Sequence, residues 1–134
     1  MFKFTSLLLL LLTLLMACTH AIPLVVRANS VRCETSSGSP THDDIKAAFE
    51  KLLASGKDGK ICTKNPLISN NQCGVISSAG GCKISFCGLW DGSIGCEQAG
   101  LAAMEIMNNC ENTDRKAGGT YTFSGTSNSI KVHK

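Results

Sequence analysis

Apolar and polar residues alternate with helical period in two parts of this chain. Over residues 41–55, five apolar side chains recur three and four positions apart and form one core-facing stripe: Ile45, Ala48, Phe49, Leu52 and Leu53. Thr41 and Asp44 form a capping-box pattern at the start of this helix, and Gly56 is placed to end it in a left-handed conformation. The first helix therefore spans residues 41–55.

A second helix is predicted over residues 97–109. Small and apolar side chains share one arc of its helical wheel: Ala99, Ala102, Ala103, Ile106, Met107 and Cys110. We expect the small side chains to allow close approach to a sheet. Cys96 and Cys110 bracket this helix about 21 Å apart, whereas the Cα atoms of a disulfide lie about 4.4–6.8 Å apart. Each must therefore bond to another part of the chain.

Period-two alternation predicts strands over residues 82–87, 120–124 and 130–133, and less clearly over 60–63 and 73–77. Residues 125–128 join two of these strands as a hairpin, and Asp91–Gly92 is a turn that could return the chain after Cys87 towards Ile94. This order of elements predicts an α+β fold, in which an antiparallel sheet of four to five strands carries both helices on one face.

The first 21 residues are typical of a secretory signal peptide. Lys3 precedes an apolar run that includes six consecutive leucines, residues 7–12, and the small residues Ala17 and Ala21 follow it. The run is shorter than the roughly 20 apolar residues of a membrane-spanning helix. We therefore expect a secreted, extracellular protein. Residues 22–32 are a lead-in, either a tail or a pro-segment that is removed, and residues 33–134 are one domain.

The cleavage site decides the fate of Cys18. Cleavage after Ala21 removes Cys18, whereas cleavage after Ala17 keeps it as the first mature residue. The sequence from Leu15 to Cys18 also fits the pattern at which bacterial lipoproteins are cut and lipidated. A lipid-anchored exported protein therefore remains an alternative to a free one.

Cysteine content changes the picture most. The 134-residue chain has 8 cysteines, and those after residue 32 are Cys33, Cys62, Cys73, Cys82, Cys87, Cys96 and Cys110. In a short exported chain this density indicates a disulfide framework. The count is odd, so one thiol is free, bonds to Cys18 or links two chains. The best local pairing is Cys87 with Cys96, and we expect a monomer unless the odd cysteine makes a dimer.

Charge and spacing exclude several classes of partner. From residue 22 onward the chain has 12 Lys and Arg (13 less Lys3) and 10 Asp and Glu, which gives a net charge of +2. The basic residues do not form the clustered stripe that is typical of a nucleic-acid-binding protein. No two cysteines have the two-residue spacing of a zinc site. We expect no nucleic acid, metal or cofactor.

Catalytic motifs are absent from the sequence. It has no nucleophile elbow, no His-Glu-x-x-His and no phosphate loop. A small secreted hydrolase, ribonuclease-like or glycosidase-like, is the alternative function. It would need Glu97 or Glu105 paired with His42 or His133.

A binding role has its own candidates. Trp90 is the only tryptophan, and it follows Leu89 at a predicted loop tip. An exposed tryptophan is a frequent contact residue for a partner. Leu89 and Trp90 are therefore the predicted binding residues.

Several segments together resemble the killer-toxin-like class of small secreted fungal proteins. They are residues 81–87, 93–96, 106–110, 118–121 and 130–132. The resemblance covers residues 33–132 and implies a sandwich of an antiparallel sheet and two helices. It also implies a toxin acting on channels of competing cells, or a virulence factor. Such proteins often have a further cysteine after the final strand, which this chain lacks.

The sequence thus favours a secreted, non-enzymatic effector or toxin that binds an extracellular protein, glycan or channel.

Overall fold

The computed structural model describes residues 28–64, 73–88 and 92–134. Within these ranges the elements, in chain order, are β1 (Ser30–Cys33), α1 (His42–Gly56), β2 (Ile61–Thr63), β3 (Cys73–Ala79), β4 (Cys82–Cys87), β5 (Ser93–Gly95), α2 (Cys96–Cys110), β6 (Gly119–Thr122) and β7 (Ser129–His133). The predicted α+β fold is confirmed. None of the helices in these ranges is long and apolar enough to cross a membrane. The predicted signal segment, with Cys18, lies outside the described residues.

Five strands form one antiparallel sheet in the order β1-β6-β7-β4-β3, and β2 pairs with β5 in a separate two-stranded sheet. Alternation in the central strands places Ile84 and Phe86 of β4 with Ile130 and Val132 of β7 on one face, where all four are buried. Both helices pack on that face and share one apolar core with it. The opposite face is left without a helix in the described part of the chain.

The start of α1 follows the prediction and also fixes a turn in the sheet. The Thr41 hydroxyl accepts a hydrogen bond from the Asp44 amide at 3.3 Å, as an N-cap does. The Asp44 carboxylate accepts from the Gly81 amide at 3.2 Å. One side chain in the first helical turn therefore holds the β3–β4 hairpin against the helix.

The helices α1 and α2 run antiparallel, and glycine allows them to approach closely. A Cβ at Gly56 would overlap the backbone of Glu97, and one at Gly100 would crowd Leu53. Gly56 is thus the last, buried residue of α1 and not its left-handed stop, which corrects the prediction. The positive φ occurs three residues later, at Gly59 (71°). The small residues of α2 serve the contact between helices as well as the contact with the sheet.

Strand β1 corrects a second expectation. Residues 22–32 are predicted to be a lead-in without pattern, but the chain becomes a strand at Ser30 and pairs with β6. Only Val31 of this strand packs on the core, so its own sequence carries little periodicity. Its partner lies about ninety residues away, and local pattern does not report such a pairing.

Three disulfides join Cys33 to Cys110, Cys62 to Cys96, and Cys73 to Cys87. The predicted pair of Cys87 with Cys96 is wrong. Cys87 lies directly opposite Cys73 in the β3–β4 register, whereas β5 pairs with β2 and does not return to β4. The prediction that each end of the second helix is bonded elsewhere is confirmed.

Candidate functional site

The helix-free face of the large sheet, here called the outer face, is polar and carries most of its charge as cations. Pairing between strands aligns Arg32 of β1, Thr120 of β6, Lys131 of β7 and Ser85 of β4 in one row across the sheet. Side chains at opposite positions in such a row are near neighbours. A ligand on this face therefore meets side chains from four strands at once.

Among the described residues of the outer face, cations outnumber carboxylates. Glu34 lies 3.7 Å from Arg32 and 3.6 Å from Lys131, measured between charged atoms, and so compensates for one of these two cations. Lys83, on the same face of β4, is exposed and adds a third positive charge. The Arg32 side chain is 83% exposed. The face therefore has a net positive charge that a partner can reach.

On the part of the outer face formed by β7, β4 and the edge strand β3 lies a shallow depression of about 320 Å³. Its walls include Val75, which is 50% exposed, together with Lys131 and His133. The Cys73–Cys87 disulfide borders it and ties β3 to β4. The depression thus combines an apolar side chain with two basic or titratable ones on a covalently braced support.

Ser85 and His133 are hydrogen-bonded within this depression. Ser85 Oγ lies 2.8 Å from His133 Nε2, and His133 Nδ1 lies 3.1 Å from the carbonyl oxygen of Lys134. A hydroxyl beside an imidazole is the minimal nucleophile–base pair. However, Ser85 is only 1% exposed and sits in a strand paired on both sides, where the ladder occupies the backbone amides an oxyanion would need. The hydrogen bond orients His133 on the outer face.

The acid–base pairs predicted from sequence are not assembled. His42 Nδ1 lies 2.6 Å from Glu111, a residue that the sequence analysis does not single out. Glu105 instead contacts Asn109, and Glu97 lies beside Gly56. Because α1 and α2 are antiparallel, the first residue of α1 meets the residue after α2. The sequence does not reveal the relative direction of the two helices, so it could not predict that His42 pairs with Glu111.

A further ion-pair cluster extends from His42. Arg115 lies 3.7 Å from Glu111 and 3.8 Å from Asp43, and the His42 amide donates to the Arg115 carbonyl at 2.8 Å. Arg115 adopts a positive φ of 54°. These contacts join the start of α1 to the turn after α2, and we read the cluster as structural.

Cys82 is the cysteine without a disulfide partner among the described residues. It is 1% exposed in the core, and burial, with Asp44 nearby, raises the pKa of its thiol to about 12. Such a thiol stays protonated and unreactive near neutral pH. A disulfide from Cys82 to a second chain would require the core to open, so the buried position of Cys82 argues against the disulfide-linked dimer that the odd cysteine count left as an alternative to a monomer.

The predicted binding residues Leu89 and Trp90 lie outside the described residues. Elsewhere, within residues 28–64, 73–88 and 92–134, no three His, Cys, Asp or Glu side chains gather as metal ligands would. No protein-family model, no curated protein and no solved structure matches this chain. The resemblance to killer-toxin-like proteins therefore stays a prediction, and the outer face is the candidate site that the geometry itself provides.

Proposed function

We propose that this chain is a secreted, non-enzymatic effector or toxin-like protein that binds an acidic surface of an extracellular protein or channel through its outer face. The observation that carries this proposal is the face itself. It spans five strands, no helix in the described residues covers it, and Arg32, Lys83 and Lys131 leave it positively charged against Glu34. Complementary charge speeds association and selects partners.

The disulfides support the extracellular part of this proposal. Disulfides persist in secreted proteins and are rare in reducing compartments. Three of them in a small α+β domain fit the export signal that the sequence predicts. A braced surface also loses little freedom when it binds, which favours affinity.

Leu89 and Trp90 provide a second proposed contact. The chain enters this segment from Gly88, directly after the disulfide-bonded Cys87, and leaves it at Gly92. The placement keeps the only tryptophan close in sequence to a braced strand end. We propose that these two side chains add apolar contact area to the interaction with the partner.

Charge reversal tests the proposal. Purified oxidised protein is applied to target tissue and to competing cells, and the dose for half-maximal response is measured. We expect the double variant Arg32→Glu with Lys131→Glu to raise that dose about tenfold or more, because a like charge then faces the partner. Its thermal midpoint should barely change, since exposed ion pairs contribute about 0–1 kcal/mol.

The double variant Lys57→Glu with Lys60→Glu is the matched control. It reverses the same number of positive charges, on two exposed lysines between α1 and β2, and leaves the outer face unchanged. An unchanged dose for the outer-face double variant, or an equal loss in the control, would contradict binding through the outer face. Lack of response from any tissue or cell would contradict the effector function.

The hydrogen bond between Ser85 and His133 is the observation that favours the hydrolase alternative. A panel of RNA, glycan and peptide substrates, tested with the wild type and with Ser85→Ala, separates the two functions. We expect no turnover by either protein. Turnover that disappears in a folded Ser85→Ala protein would replace the binding function with a catalytic one.

A further inference from the structure

A second concave site lies away from the outer face, at the end of the molecule where β5 meets α2. The turn between β6 and β7, the first turn of α2 and the residue before β1 enclose a groove of about 310 Å³. This volume is at the lower end of the range for small-molecule sites. We call it the amide groove, because Asn29, Gln98 and Asn128 line it.

None of the described residues that line the amide groove is charged. Besides the three amides, hydroxyl side chains such as Ser93 and Thr126 face it, and Ile94 and Phe123 supply apolar surface. A charged ligand would lose its hydration here without gaining a counterion, which is costly. A purely apolar ligand would leave the amides without hydrogen bonds, which is also costly. The lining therefore suits a neutral ligand that is rich in hydroxyl groups.

Several of these polar groups are held in place without being used up. Asn29 Oδ1 accepts a hydrogen bond from the Ser124 amide at 2.9 Å, which orients its NH₂ group. The Asn128 side chain packs closely on Gly88, because a Cβ added at Gly88 would overlap the side-chain amide of Asn128. In the described part of the chain, the side chains of Gln98 and Ser93 make no hydrogen bond. The groove thus presents oriented hydrogen-bond donors and acceptors, the side-chain amides and hydroxyls, that a ligand can bind.

An aromatic ring completes the site. Phe123 is partly exposed, and Tyr121 holds it edge to face, with ring centroids 5.0 Å apart and planes at 62°. A fixed aromatic face beside amide groups can contact the C–H face of a sugar ring while the amides bind its hydroxyls.

From this combination we propose that the amide groove binds an uncharged oligosaccharide. It is a site separate from the outer face and uses none of the residues on which the proposed function rests. The amides and hydroxyls bind the sugar hydroxyls, and Phe123 stacks on a ring. Because the described part of the lining carries no charge, we expect neutral sugars to bind in preference to sulfated or acidic ones.

The test uses nuclear magnetic resonance on the full, oxidised protein. Neutral oligosaccharides of glucose, mannose and N-acetylglucosamine are titrated separately against isotope-labelled protein, and a sulfated oligosaccharide is titrated in parallel. We expect at least one neutral sugar to shift the side-chain amide signals of Asn29, Gln98 and Asn128 saturably, with a dissociation constant of about 1 mM or tighter.

Two variants and two controls make the result specific. Gln98→Ala removes an exposed amide that makes no hydrogen bond within the described residues, and Phe123→Leu removes the ring while keeping apolar volume. Each should weaken binding about fivefold to tenfold. Asn108→Ala, which removes an exposed amide further along α2, should leave binding unchanged. So should Lys131→Glu, which separates this site from the outer face.

Three results of the titrations and variants would directly overturn the proposal, and two further results would also count against it. The three are no shift with any neutral oligosaccharide, shifts that fall outside the amide groove, and equal weakening by Asn108→Ala and Gln98→Ala. Binding of the sulfated sugar alone would also overturn it, because that ligand should prefer the cations of the outer face. Loss of neutral-sugar binding in Lys131→Glu would place the ligand on the outer face instead.

Discussion

At the scale of single residues, Cys82 shows how burial sets chemistry. It opens β4, points into the core and is 1% exposed, so its thiol is removed from both solvent and partners. Burial is the main reason that its pKa rises from 9.0 to about 12, and Asp44 adds to the effect. The neutral thiol is thus favoured by the folded state and ionises more readily in the unfolded chain.

This difference predicts an alkaline loss of stability. The contribution of the neutral thiol is complete below the unfolded pKa near 9.0 and declines as the pH rises towards 12. Relative to Cys82→Ala, the wild type should lose stability over that window by up to about 1.4 kcal/mol per pH unit. Urea unfolding of both proteins at pH 8 and pH 10, read before thiol–disulfide exchange sets in, measures it.

Thiol counting provides the control. In a chain cleaved after Ala21, a thiol reagent at pH 8 should modify none of the cysteines of the native protein. In the unfolded protein it should modify one cysteine per chain, Cys82. Additional reactive thiols in unreduced protein would contradict the three disulfides. Parallel stability curves for the wild type and Cys82→Ala would contradict the raised pKa.

At the scale of elements, the pairing of α1 with α2 depends on residues without side chains. Gly56 lies against the backbone of Glu97, and Gly100 lies against Leu53. On an isolated helix, replacing glycine by alanine gains about 1 kcal/mol. In this structure, a methyl group added at Gly56 would overlap backbone atoms of Glu97. Backbone atoms cannot move aside as the end of a flexible side chain can.

We therefore expect Gly56→Ala to destabilise the protein by about 1–3 kcal/mol, because overpacking outweighs helix propensity. The matched control is Gly38→Ala, where the added methyl group has room and the backbone φ is not positive. That change should be near neutral or slightly stabilising, through the entropy of the unfolded chain. Urea midpoints compare the two, and a stabilising Gly56→Ala would disprove the close helix contact.

The sequence predicted the features of the fold that depend on neighbouring residues in the chain, such as the limits of the helices. Both helices begin and end within a residue or so of their predicted limits, because apolar spacing and the Thr41 cap are local signals. The predictions that were wrong or missing concern contacts between residues far apart in the chain. The role of Gly56 depends on α2, strand β1 depends on β6, and the contact of His42 with Glu111 depends on antiparallel helices.

The candidate site divides in the same way. Alternation in β7 already placed Lys131 and His133 on the face opposite Ile130. That this face stays open, and that Arg32 joins it, depends on strand order and on the position of both helices. Pairings among seven cysteines are likewise beyond sequence, because spacing does not reveal which strands are neighbours.

At the scale of the whole molecule, the three disulfides close loops of different length. Cys33–Cys110 spans 77 residues and joins the edge strand β1 to the end of α2. Cys62–Cys96 spans 34 and joins the small sheet to the start of α2. Cys73–Cys87 spans only 14, between adjacent strands. Both ends of α2 are therefore tied to β-structure.

Loop length predicts the order of their contributions. Removing the longest bond with Cys33→Ser and Cys110→Ser should cost about 4.5 kcal/mol, because the unfolded chain regains the most freedom. Removing the shortest with Cys73→Ser and Cys87→Ser should cost about 3 kcal/mol. Chemical unfolding of the two double variants compares them directly, and a larger loss from the shorter loop would contradict this account.

The bond between Cys33 and Cys110 also constrains how the molecule is made. These are the first and last cysteines of the described chain, so during synthesis from the N-terminus the Cys33 thiol is present long before the Cys110 thiol. Five competing sulfurs arrive in between. A bond from Cys33 to any of these sulfurs has to be undone by thiol–disulfide exchange before the native pair can form, so we expect a disulfide isomerase to speed the oxidative folding of this chain.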